Sequence, residues 1–123
     1  MIRYIDDLYL TGSTSKNLTK IKRKLRLGIG TLSLYVIMMS ESKEDVFDIV
    51  PAQMFKMRKY RHMDHTVIGL AESMKKAYDI IERLVVEHYE RTGHYKDLKA
   101  GYLEYFGISS PAENKVLLNE VPQ

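Results

Sequence analysis

The sequence predicts an α+β domain: a small mixed β-sheet with helices on one face, in the order β-α-β-β-β-α-(α). Two observations favour this class. Apolar segments of strand length alternate with amphipathic segments of helical length along the chain. In addition, the apolar run at residues 66–71 passes directly into a strongly periodic segment that stops at Gly93. A strand that leads at once into a helix is the unit around which we expect the core to form.

Length and composition are those of one globular domain. The chain has 123 residues, of which 45% are hydrophobic and 28% charged, so it can bury a single core without disulfides. We expect this domain over residues 1–107, followed at residues 108–123 by a tail that forms a short helical turn or is disordered. The absence of cysteine excludes a disulfide framework, a thiolate zinc site and a cysteine nucleophile.

The first half of the chain predicts a strand, a helix and a β-hairpin. Residues 4–11 have the pattern of a strand, and the glycine and hydroxyl residues that follow can end it and cap a helix over residues 16–27. Residues 31–40 are apolar on both faces, which is typical of a central strand covered twice. A polar turn and a returning strand over residues 45–50 complete the hairpin, which Pro51 ends.

The second half predicts one more strand and two helices. Residues 52–64 are interpreted as a short helical turn or irregular crossover that leads into the strand at residues 66–71. The helix after Ser73 has a broad apolar stripe opposite a charged face, and Gly93 stops it. A second helix over about residues 96–106 packs its apolar side chains back onto the domain.

The expected layering predicts an association between copies of the chain. If both main helices cover one side of the sheet, Tyr35, Ile37 and Met39 are left on the other side. In a protein of this size a second copy often covers such an apolar face. We therefore expect a homodimer.

Positive charge is concentrated in the first half of the chain. Residues 1–62 hold twelve Lys and Arg against six Asp and Glu, whereas residues 63–123 hold seven against ten. This distribution favours an anionic partner, either a nucleic acid or an acidic protein surface, although such charges often only meet water. The predicted binding residues lie in the first helix with its preceding turn, and in the crossover: Ser13, Ser15, Lys16, Lys20, Arg23, Lys24, Lys56, Arg58, Lys59 and Arg61.

The crossover also has a catalytic interpretation. A histidine or tyrosine there could move protons while arginine stabilises a charged phosphate, as in a small, toxin-like, metal-independent ribonuclease. The residues of this alternative are Arg58, Tyr60, Arg61, His62 and His65. The group His62, Asp64 and His65 lacks the helical spacing of a zinc motif, so we expect no metal, and we expect no cofactor. Because Walker and nucleophile-elbow spacings are also missing, the pattern leans away from an enzyme.

Several short segments carry a resemblance to a known group of proteins. They comprise residues 20–26, 34–37, 47–49, 60–61, 67–71 and 90–93, and the resemblance covers about residues 8–106, most of the chain. Together they resemble a group of short bacterial proteins, typical of anaerobic gut species, that are known only as hypothetical proteins. The resemblance implies a coherent single domain and no particular activity.

The functional expectation combines these points. No segment approaches the roughly 18 consecutive apolar residues that span a bilayer, and the acidic start lacks the apolar core of a signal peptide. We therefore expect a cytoplasmic protein without membrane contact. The leading interpretation is a small non-enzymatic binding or regulatory module whose basic N-terminal half contacts an anionic partner. The alternatives are the ribonuclease and a protein-binding inhibitor or regulator from a mobile element.

Overall fold

Four strands form one mixed sheet in the computed structural model, which describes residues 1–30, 33–42 and 44–107. In chain order the strands are β1 (Ile2–Leu10), β2 (Tyr35–Met39), β3 (Phe47–Pro51) and β4 (His65–Ala71). They lie side by side in the order β1-β4-β2-β3. β1 is parallel to β4, whereas β2 is antiparallel to both β4 and β3. The predicted α+β class and mixed sheet are confirmed, and β2 is an interior strand, as its apolar pattern indicated.

Helices occupy the connections and follow the last strand. They are α1 (Ser13–Lys16), α2 (Leu18–Leu27), a 3-10 helix (Ala52–Lys56), α3 (Arg58–Arg61), α4 (Met74–Thr92) and α5 (Leu98–Tyr105). The helix predicted over residues 16–27 is thus divided at Asn17, whose side-chain amide donates to the Ser13 carbonyl at 3.2 Å. Apolar periodicity cannot detect this break because the apolar stripe begins only at Leu18. The tail predicted at residues 108–123 lies outside the described residues.

The chain divides into two compact units, Met1–Leu84 and Val85–Gln123, and the boundary falls inside α4. The first unit contains the sheet. It also contains the two basic segments that hold the predicted binding residues, which are the first helix with its preceding turn and the crossover. In the described part of the second unit, Tyr102 and Leu103 of α5 are buried, and so is His88 of α4. The Arg91 guanidinium lies 3.7 Å from the centre of the Tyr105 ring, a cation–π contact.

One face of the sheet is covered by α2 and the 3-10 helix. Ile21 and Leu25 of α2 lie in one core cluster with Phe55 of the 3-10 helix and with four side chains of the central strands, Val36, Met38, Val67 and Leu70. A β-bulge explains how Val67 and Leu70 share this face although they are three residues apart. Ile37 pairs with Gly69 and Met38 pairs with Val67, so β4 has one extra residue opposite β2.

The opposite face is covered by the first half of α4. Tyr9, Gly69 and Ile37 are neighbours across three strands and therefore share a face. A Cβ atom on Gly69 would lie 3.3 Å from both Ile37 Cδ1 and Tyr9 Cβ, which confirms that grouping. The Arg83 guanidinium of α4 lies 5.3 Å from the centre of the Tyr9 ring on this side.

The main helices therefore lie on opposite faces of the sheet, which corrects the expectation of helices on one face. Ile37 is fully buried within the single chain and Met39 is nearly so. The predicted homodimer thus loses its premise, because the apolar face that a second copy was expected to cover is already covered. It stays a prediction without this support. In the described residues, no helix is both long and apolar enough to cross a bilayer.

Candidate functional site

The first unit contains an open cavity of about 540 Å³ that is bordered by positive side chains from two helices. We call it the basic groove. Lys22, Arg23 and Arg26 come from α2, and Arg61 and His62 come from the end of α3. The rest of its lining is Met1, Ile2, Tyr4 and Thr19. None of these nine residues carries a carboxylate, so the lysine and arginine charges of the lining are all positive and stand beside apolar surface.

The parallel pairing of β1 with β4 creates this groove. Ile2 is in register with His65, and the His65 amide donates to the Met1 carbonyl at 3.0 Å. Because α3 ends just before β4, this pairing places Arg61 and His62 beside the start of β1. On α2, burial of Ile21 and Leu25 leaves the next residue after each, Lys22 and Arg26, to line the groove.

The Arg61 guanidinium is held in a fixed position. Its Nη1 donates to the carbonyl oxygens of Phe55, at 3.0 Å, and Lys56, at 3.3 Å. The same nitrogen lies against Gly28, where a Cβ atom would collide with it. Gly28 ends α2 in the left-handed conformation, with φ of 66°. Arg61 is therefore anchored at the end of α2 and needs little further ordering before it contacts a ligand.

Tyr4 and Lys22 form a second contact in the groove. The Lys22 ammonium lies 4.5 Å from the centre of the Tyr4 ring, in cation–π range. Burial raises the pKa of Tyr4 to about 12. The Tyr4 hydroxyl is buried and has no hydrogen-bond partner in the described part of the chain. An unsatisfied buried polar group of this kind costs about 1–3 kcal/mol of stability.

Within residues 1–30, 33–42 and 44–107, no ion pair neutralises the positive charge of the groove. No carboxylate of the described chain forms an ion pair with Lys22, Arg23, Arg26 or Arg61. The nearby N-terminal ammonium differs, since it pairs with Asp64 at 3.2 Å. Uncompensated cations around one cavity raise the local concentration of anions.

The predicted binding residues near the start of α2 occupy a different place. Ser13, Lys20 and Lys24 line a smaller cavity of about 240 Å³ that Glu72 also lines. Ser13 donates to Glu72 Oε2 at 3.4 Å, and Lys76 donates to Glu72 Oε1 at 2.6 Å. The hydrogen bond from Lys76 is the main cause that lowers the pKa of Glu72. The Glu72 carboxylate therefore already occupies the anion position beside Ser13. An external anion would have to compete with it.

The remaining predicted binding residues lie outside both cavities. Ser15 donates its hydroxyl to the Gly12 carbonyl at 3.2 Å, and Lys16 is exposed on α1. The other three residues, Lys56, Arg58 and Lys59, are exposed on the 3-10 helix and α3. Of the ten predicted binding residues, Arg23 and Arg61 alone line the basic groove.

The residues of the catalytic alternative are separated by the fold. His65 is buried, and its Nε2 is 2.7 Å from the Tyr60 carbonyl oxygen, so this nitrogen carries the proton and donates. The Tyr60 and His65 ring centres are 4.6 Å apart, and both rings also contact Phe55. Burial, followed by the charge of Asp48, raises the pKa of Tyr60. Arg61 and His62 line the groove, whereas His65 belongs to an aromatic cluster.

Two of the residues that the sequence analysis weighed as metal ligands have other partners in the fold. Asp64 pairs with the N-terminal ammonium, and His65 donates to a backbone carbonyl. Within the described ranges, no three His, Asp or Glu side chains are grouped so that they could hold a metal ion.

Six of the groove residues are not among the predicted site residues: Met1, Ile2, Tyr4, Thr19, Lys22 and Arg26. Helical spacing could have found the last two, because residues four apart lie on the same side of a helix. Nothing local in the sequence indicates Tyr4, which reaches the groove only through strand pairing.

Comparison of the chain with protein-family models, with curated proteins and with solved structures gave no match. The resemblance to short bacterial proteins therefore stays a prediction.

Proposed function

We propose that the protein is a binding module that holds a nucleic acid through the basic groove. The observation that supports this most directly is the convergence of Lys22, Arg23 and Arg26 with Arg61 around one cavity whose lining has no carboxylate. Three of these four cations are arginines. The planar guanidinium group matches the geometry of phosphate oxygens and can donate two parallel hydrogen bonds to them.

The anchoring of Arg61 also supports binding of phosphate. Its contacts with the Phe55 and Lys56 carbonyls use Nη1. The guanidinium has other N–H groups, which can donate to a ligand from a fixed position. A side chain that is already ordered loses less conformational entropy on binding.

Salt dependence of RNA binding tests the proposal. Contacts with four phosphates of a single strand predict that the logarithm of the binding constant falls with the logarithm of the salt concentration, with a slope of about −3. Fluorescence anisotropy with labelled single-stranded RNA, at several potassium chloride concentrations, measures this slope. Duplex RNA and DNA of the same length show which form is preferred.

A matched pair of double variants separates the groove from general charge. The double variant Lys22→Ala/Arg26→Ala removes two groove cations, and Lys20→Ala/Lys24→Ala removes two from the same helix at the same spacing. We expect the first pair to reduce the slope by about 1.4 and the second to leave it nearly unchanged. Absence of binding at low salt, or equal losses in both variants, would contradict the proposal.

The metal-independent ribonuclease is the second candidate, and the exposed position of His62 on the groove is the observation that favours it. A general acid or base must reach the ligand, and His62 is placed to do so. RNA is incubated in chelator with the wild type, with His62→Ala and with His65→Ala. Cleavage that His62→Ala abolishes supports this candidate. Absent cleavage, or equal cleavage by all three proteins, rejects it.

A further inference from the structure

We infer that the basic groove recognises the terminal phosphate group of a nucleotide, in preference to the internal phosphodiesters of a nucleic acid strand. This inference rests on the proposed function and specifies the chemical group that the groove binds. The ligand chemistry is a phosphate monoester, which can belong to the end of a strand or to a free nucleotide.

The form of the groove is the first reason. Proteins that follow the backbone of a single strand present an extended positive groove, with aromatic side chains on which successive bases stack. Here the cations surround one cavity of about 540 Å³. That volume is typical of sites for small molecules. A single nucleotide matches such a cavity better than a continuous strand does.

The directions from which the cations approach are the second reason. Lys22 and Arg26 stand on α2, whereas Arg61 and His62 stand at the end of α3. A terminal phosphate has three free oxygens and a charge of about −1.5 to −2 at neutral pH. It can therefore accept hydrogen bonds from both helices at once. An internal phosphodiester offers fewer free oxygens and a single negative charge, and it satisfies fewer of these donors.

The apolar part of the lining is the third reason. Ile2, Tyr4 and Met1 line the same cavity as the cations. A nucleotide has this division, because a flat base, whose aromatic faces can stack on apolar side chains, is joined through a sugar to a charged phosphate. The arrangement agrees with the usual composition of ligand sites, in which apolar walls accompany a few polar groups that fix orientation.

RNAs that differ only at their ends test the inference. Strands of about eight nucleotides, within the range that single-stranded binding sites cover, are prepared with a 5′-phosphate, with a 3′-phosphate or with hydroxyl groups at both ends. A strand of twice that length with hydroxyl ends serves as the length control. We expect at least one phosphorylated end to strengthen binding about tenfold at physiological salt. Adenosine monophosphate, used as a competitor, distinguishes a free nucleotide from a strand end.

The variants show whether the effect belongs to the groove. Lys22→Ala/Arg26→Ala should remove the preference for a phosphorylated end, and Lys20→Ala/Lys24→Ala should retain it. Equal binding of phosphorylated and hydroxyl strands, with affinity that rises with length, would overturn the inference and leave the proposed function intact. Loss of the end preference in both double variants would also overturn it. Failure of every RNA and of adenosine monophosphate to bind would reject both proposals together.

Discussion

Gly28 leaves the space at the end of α2 that the Arg61 guanidinium occupies. The two residues belong to different basic segments of the chain, and their contact joins those segments at the groove. Gly28 also has the left-handed backbone conformation, with φ of 66°, which residues with a Cβ disfavour. A substitution at Gly28 therefore tests both the contact with Arg61 and this backbone conformation.

Gly28→Ala is therefore expected to destabilise the protein in two ways. The left-handed conformation costs about 1–2 kcal/mol for a residue with a Cβ, and the new methyl group displaces Arg61. Urea unfolding measures the total. Gly93→Ala is the matched control, because Gly93 has φ of 78° and no described atom within 4 Å of its Cβ position. A larger loss for Gly28→Ala, together with weaker RNA binding, supports the contact. Equal losses and unchanged binding would contradict it.

Tyr4→Phe is expected to stabilise the unliganded protein by about 1 kcal/mol. The variant removes a buried hydroxyl that has no partner in the described chain and keeps the ring under Lys22. Thermal or urea unfolding measures the change. The control is Tyr78→Phe, where the side chain is 60% exposed and no effect is expected. A clear loss of stability in Tyr4→Phe would mean that the hydroxyl makes a favourable interaction.

Stability is expected to fall in alkaline solution. Burial raises the pKa of Tyr4 and of Tyr102 from 10.0 to about 12 in the folded chain. The neutral phenols therefore contribute stability that is complete below pH 10 and is lost as the pH rises towards 12. Urea unfolding at several pH values measures the decline, and near-ultraviolet absorbance follows tyrosinate formation. Tyr4→Phe should make the decline shallower, and an identical decline in variant and wild type would refute the role of Tyr4.

Gly69→Ala is expected to destabilise the sheet by about 1–3 kcal/mol. A Cβ atom at this position would lie 2.8 Å from the Tyr9 carbonyl oxygen, which is backbone and cannot rotate away. Strands β1 and β4 would have to move apart where they pair. Unfolding in urea measures the loss, and backbone amide exchange in β1 locates it. Unchanged stability would show that the two strands have more freedom than this distance indicates.

The fold could be predicted from the sequence where local patterns determine it. The apolar runs of β2 and β4, and the periodic helix that stops at Gly93, were recognised from spacing alone. The face on which α4 lies could not be recognised in this way. An amphipathic helix only requires an apolar surface, and both sides of β2 offer one. The β-bulge opposite Ile37 is also not predictable, because it arises from pairing between strands.

The candidate site was also predictable only in part. Sequence reasoning selected Arg23 and Arg61 in separate segments but had no means to bring those segments together. Their proximity depends on the register of Ile2 with His65, residues that are far apart in the chain. Likewise, the carboxylate of Glu72 that reaches Ser13 comes from 59 residues away. Contacts of this kind follow from the assembled sheet and cannot be read from neighbouring residues.

The edge position of β1 links occupancy of the groove to local opening of the fold. Among the described strands, only β4 pairs with β1, so the β1 amides depend on one neighbour for protection from solvent. If β1 detached, Ile2 and Tyr4 would leave the wall of the basic groove, which would lose one side. A ligand that contacts this wall would therefore stabilise the paired state of the strand. Slower deuterium uptake in β1 would report occupancy directly, even before the natural ligand is known.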